Sequence, residues 1–173
     1  MSTQPAVYVL EQLQTIAVNI LAGDDMFAGN QSANGAAIPI ITEDIGDLIT
    51  EIDTKIGSTG ICAVVQMPGF ELTNPWVSEQ TGISYDGLAS VDVMVIENVT
   101  LNRATGGTGI RALALVERII RLIHGAPTGL PDNPLSPSHF MGMKIPLKKT
   151  SDGPPLVYTT FFQAHLTLLT PDI

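Results

Sequence analysis

Histidines, one cysteine, grouped carboxylates and a glycine run are the residues of this 173-residue chain able to support catalysis or hold a ligand. Their spacing argues against both uses. His124 falls at the predicted end of a helix, where the dipole favours a positive imidazole. His139 lies in a proline-rich stretch, and His165 on the less patterned face of a predicted strand. No His-x-x-x-His pair and no Cys–His pair is present, so no metal site is expected. Cys62 is the single cysteine, which leaves no intramolecular disulfide and no cysteine-rich zinc site. Gly106-Gly107-Thr108-Gly109 precedes a helix and could turn free N–H groups toward a phosphate. It lacks both the GxGxxG spacing and the Gly-Lys-Ser/Thr ending, so it reads as a turn or a subunit contact. The Gly-x-Ser-x-Gly elbow of a serine nucleophile is absent. Asp44, Asp47 and Glu51 share one predicted helix face and read as solvated rather than as an acid–base pair. The expectation is a protein that is not an enzyme and needs no cofactor or metal.

Arginine is the more informative residue type. All four arginines lie between Arg103 and Arg121. At 100° per residue, Arg111, Arg118 and Arg121 fall within about 80° of one another on a predicted helix. Residues 1–102 hold thirteen acids and one base, Lys55, whereas residues 103–173 hold seven bases and four acids. The formal net charge of −9 argues against general nucleic-acid binding, which needs a dominant basic surface. Two readings of the asymmetry stand. The halves can pair within one chain, or the basic face of one copy can meet the acidic face of the next, head to tail. In the second reading Arg103, Arg111, Arg118 and Arg121 dock carboxylates such as Asp44, Asp47 and Glu51, where guanidinium forks favour bidentate pairing. Only 14% of residues are charged, against about 25% in typical soluble proteins, which suits a surface partly covered by neighbours.

The elements that must position these groups follow from periodicity. Apolar residues recur at helical spacing over 6–22, and the small polar run 23–38 reads as a linker, so residues 1–40 are expected to be a helix and arm set apart from one domain over 41–173. A second helix is expected from Thr42 as cap to Gly57 as stop, with Ile45, Leu48, Ile49, Ile52 and Ile56 as its stripe. Gly60–Gln66 reads as a buried strand, 67–88 as a long loop or extended hairpin, and Ala89–Asn98 as an alternating strand. The strongest helix is expected over Thr108–His124, centred on Ile110, Leu113, Val116, Ile120 and Ile123 and widened by Leu115, Ile119 and Leu122. Then come a proline-rich loop at 125–138, an edge strand at 141–149 and a long strand at 156–169. This order predicts an α+β fold: a mainly antiparallel or mixed four-stranded sheet with helices on one face, plus the N-terminal helix. No run of about 18 apolar residues and no basic leader is present, which predicts a soluble protein of the cytoplasm without a membrane partner.

Val91-Asp-Val-Met-Val-Ile-Glu97-Asn98, then Asn102-Arg103, a glycine-rich turn and a helix closing Arg121-Leu-Ile-His124-Gly125, resembles the tail terminator proteins of long-tailed bacteriophages, also called tail completion or minor tail proteins. The helix–strand unit Asp44–Gln66 and the strand Tyr158–Leu169 look like the rest of that domain, so the likeness spans about residues 40–169. It implies a hexameric ring that caps the tail tube, stops its polymerisation and offers a surface to the head connector. The implied partners are further copies of the chain, the tail tube protein and the neck, with DNA passing through the lumen unread. The implied location is the virion, after assembly in the host cytoplasm. The first 40 residues have no place in the family pattern, and a neck or baseplate protein would carry nearly the same signals.

A competing class is a small α+β enzyme or ligand-binding module. It would need polar residues converging from 67–88, 99–109 and 125–138, and Asp86, Glu97, Asn102, Arg103 and His139 are its plausible members. A dimeric regulatory domain is a third class, with no specific feature in its favour.

Overall fold

A computed structural model describes residues 9–29, 32, 35–43, 46–78, 82–103, 109–133, 136–142, 148–149 and 155–169. The chain runs α1 (Val9–Ala22), α2 (Asp25–Ala28), β1 (Ile40–Thr42), α3 (Leu48–Thr59), β2 (Ile61–Ser78), β3 (Gly82–Glu97), α4 (Val99–Arg103), α5 (Ala112–Ile123), β4 (Pro127–Asn133), β5 (Ser136–Gly142), β6 (Lys148–Lys149) and β7 (Leu156–Leu169). Among the described residues no helix is long and apolar enough to cross a membrane.

The sheet is built on the alternation expected at Ala89–Asn98. Ala89, Val91, Val93 and Val95 are fully buried on one face, and each is matched across the ladders by residues of the same face. Val93 pairs with Val65 on β2 and Thr160 on β7, and Val91 pairs with Phe162. Because side chains alternate along every strand, this register gathers Ile61, Ala63, Val65, Phe162, Ala164 and Leu166 onto one apolar surface. The seven strands follow the order β1-β2-β3-β7-β5-β4, with β6 pairing β7 beside β5. Among the described strand pairs only β1–β2 is parallel. The α+β class therefore holds, while the four expected strands become seven among the described residues.

Helices cover both faces rather than one. On the Val93 face, α1 supplies Leu13, Ala17 and Leu21, and α5 supplies Ala112, Leu115, Val116, Ile119 and Ile123. Burying each of the leucine, valine and isoleucine side chains stabilises by about 1.5–3 kcal/mol. On the opposite face, Ile56 of α3 packs with Ile41, Cys62, Val64 and Ile96, and Leu48 and Ile52 line the edge of that smaller cluster. The β2 alternation, Cys62 and Val64 against Ala63 and Val65, makes both layers possible. Cys62 is the small apolar residue expected, and burial pushes its thiol pKa up to about 12.

Helix α1 is part of this core, not an arm set apart. Its Gln14 side chain donates to the Val65 carbonyl (3.1 Å) in a buried position, and Phe27 and Ile38 from the presumed linker are buried too. The two buried residues are tied by the backbone, the Ile38 N–H donating to the Phe27 carbonyl (2.9 Å).

Several boundaries move for identifiable reasons. Helix α3 starts at Leu48 with Asp47 as its cap, not at Thr42, because Thr42 pairs with Val65 in β1. It runs through Gly57 and stops at Gly60, whose φ of 76° suits glycine. Helix α5 buries Val116 and Ile123 of the expected centre together with the flanking Leu115 and Ile119, while Leu113 is 53% exposed. The proline-rich 125–138 stretch forms the hairpin β4–β5, with β4 at the sheet edge where missing N–H donors are tolerated. The single strand expected at 141–149 is instead the end of β5 and the short β6.

Segment 67–88 resolves as an extended hairpin. Strands β2 and β3 stay paired from Ile61↔Glu97 to Ser78↔Gly82, with register shifts at Gln66/Gly69 and Leu72/Asn74. β7 follows β3 as far as Ser84↔Leu169. Sixteen residues of β3 span about 54 Å at ~3.4 Å each. The twelve of α5 cover about 18 Å at ~1.5 Å each. The three strands therefore outrun the helices that cover them and form a blade.

Candidate functional site

Three of the five residues named for a ligand site meet where β3 ends. Glu97 is 1% exposed and points to the α1/α5 side, beside the start of α5. Its Oε2 accepts the Ala112 N–H (3.0 Å), one of the first-turn amides a helix cannot satisfy itself. Its Oε1 accepts Asn102 Nδ2 (3.0 Å) and Arg103 Nε (3.3 Å). Asn102 Nδ2 also donates to the Ile110 carbonyl (2.8 Å). A carboxylate at the positive end of α5 is favoured by the helix dipole as well.

Local sequence explains the convergence. Asn98 accepts the Leu101 N–H (3.2 Å) and starts the short α4, while its own N–H donates to the Gly60 carbonyl (2.8 Å). Asn102 then lies against two glycines. A Cβ on Gly60 would stand 2.9 Å from the Asn102 nitrogen and Cα, and one on Gly109 would stand 2.1 Å from Asn102 Oδ1. The cluster thus ties together α3's end, β3, α4 and α5. With its acceptors taken and almost no exposure, Glu97 positions a helix rather than a substrate.

The other two members lie elsewhere. Asp86 pairs with Asn74 and Thr167, eleven residues along β3 from Glu97, and its side chain lies outside the described residues. His139 is exposed on β5 opposite Pro127. His124 Nδ1 accepts the Gly142 N–H (3.0 Å) at the end of α5, and His165 is half-buried on β7 opposite Leu88. Among the described residues no group of three or more His, Cys, Asp or Glu could hold a metal ion.

The arginines divide between internal pairing and exposure. Arg103 is committed to Glu97. Arg118 donates through Nε (3.1 Å) and Nη2 to Asp24 Oδ2, joining α5 to the turn before α2. Asp24 is 7% exposed, and its Oδ1 also accepts the Met26 N–H (3.0 Å). Arg121 pairs with Glu117 one turn away, both well exposed. Arg111 is exposed at the N-cap of α5 and makes no side-chain cap bond. Among the acids, Asp47 caps α3 through the Thr50 N–H (3.0 Å) and hydroxyl (2.7 Å), and Glu51 pairs with Lys55 (3.2 Å). Asp44 lies outside the described residues. The sequence reading missed Asp24 because its partner is 94 residues away; the Gly-Asp-Asp start of a short helix was the available signal.

Arg118 holds the Asp24 carboxyl below the usual range, chiefly by hydrogen bonding, against the opposing effect of burial. A depressed folded pKa stabilises the fold above the unfolded pKa of about 3.9, and that stability is lost as pH falls through the folded value. Arg118→Ala is expected to lower stability by about 1–2 kcal/mol at pH 7, discounted for the half-exposed guanidinium. Urea titrations at pH 7 and pH 3 check this, because the gap from the unaltered protein should shrink at the lower pH. A gap independent of pH would mean that the loss is packing alone. Arg118→Glu would set a second carboxylate against buried Asp24, so Arg118 is no neutral handle for testing surface contacts. On the α3 side of the sheet, burial raises the Asp92 pKa, with the Glu43 charge adding to it.

No protein-family model matches the chain, and no curated protein matches it. In fold it is similar to a chain of a solved structure described as "Virion of native gene transfer agent (GTA) particle". The TM-score is 0.51 at 16% identity, over 94% of this chain and 100% of that chain. At this identity the likeness is one of fold.

Proposed function

We propose that this chain is a non-catalytic structural component of a phage-like particle, and within such a particle the tail terminator. Copies form a ring that caps the tail tube, stops its polymerisation and presents the surface for head–tail joining. What supports the reading is a single observation: the fold likeness to a virion chain runs the full length of that chain and nearly the full length of this one. The resemblance of Val91–Gly125 to tail terminators points the same way. The buried, fully bonded Glu97 and the blade fit a part that is held rigid and contacts neighbours. In this reading the partners are other copies, the tube protein and the head connector, DNA passes without being read, and the protein resides in the virion after assembly in the host cytoplasm.

The test is to add purified protein to growing tail tubes of the same particle and follow tube length by negative stain. The expected result is a ring at one tube end and arrested growth. Tubes that lengthen unchanged, with no added density at either end, would overturn the terminator role.

A further inference from the structure

We draw no further inference here: the strongest candidate, the patch on the α3 side of the sheet where half-buried Asp92 stands opposite half-buried Phe161 with the Glu43 charge nearby, is an acidic pair on a sheet face, and nothing in the structure shows what covers it.

Discussion

Glu97→Ala is expected to lower the free energy of unfolding by about 3–5 kcal/mol, the range for removing one partner of a buried ionic group. Three donors lose their acceptor at once: the Ala112 N–H, Asn102 Nδ2 and Arg103 Nε. Asn102 keeps its bond to the Ile110 carbonyl, but the Ala112 amide at the start of α5 has no helical partner to replace Glu97. A buried donor left unsatisfied costs about 1–3 kcal/mol, which sets the lower end of the expected loss. Glu97→Gln keeps the volume and one acceptor, and should lose about half as much. Arg103→Ala removes only the half-exposed donor and should cost under about 1 kcal/mol. Urea unfolding of the three variants checks the order. Equal losses for Glu97→Ala and Arg103→Ala would reduce the cluster to a surface ion pair.

That cluster shows what the sequence makes legible. Glu97, Asn102 and Arg103 belong to the five polar residues, with Asp86 and His139, expected to converge from 67–88, 99–109 and 125–138, and only these three, close in sequence, do so. The direction of Glu97 could have been read too, since it continues the inward series Val91, Val93 and Val95. Its role as acceptor for α5 could not, because that needs the helix to start at Ala112 rather than Thr108. The same limit explains α1. Its stripe was legible, but its partner Val65 is 51 residues away, and a run of alanines and glycines can equally be a tight fold-back or a tether. The prolines of 125–138 misled because a missing N–H is tolerated at a sheet edge: Pro127 and Pro131 sit on the edge strand β4, and Pro137 sits on β5 outside the Phe140–Gly142 stretch that pairs with β7.

The arginine face separates type from use. Helical spacing placed Arg111, Arg118 and Arg121 outward, and they are outward. Whether each is available depends on distant acids, and pairing within the chain accounts for some of them. Arg103 and Arg118 pair within the chain, and Arg111 is left exposed. A charge count over halves of a sequence cannot make that distinction, because ion pairs are set by the topology that folds α2 against α5.

Gly87→Ala is expected to destabilise the blade by about 2–3 kcal/mol, at the upper part of the range for overpacking a tight site. A Cβ there would stand 2.3 Å from Phe70 Cζ and 2.6 Å from the Glu71 carbonyl oxygen. The ring can turn aside, but the carbonyl belongs to the ladder in which Gly87 pairs with Leu72 and Leu166. Adding Phe70→Ala should therefore recover only part of the loss, and the shortfall measures the backbone share. The site lies between the two register shifts, opposite the core residue Leu166, and the damage is expected to fall on the paired strand ends beyond it. Hydrogen exchange is the discriminating measurement: amides of Asn74–Ser78 should exchange faster, while those of Val91 and Val93 keep their protection. If the blade is what reaches neighbouring subunits, the variant should stay folded yet cap tubes poorly. Uniform loss of protection across β3 would instead make the blade one cooperative unit with the core, and would remove the reason to treat it as a separate contact arm.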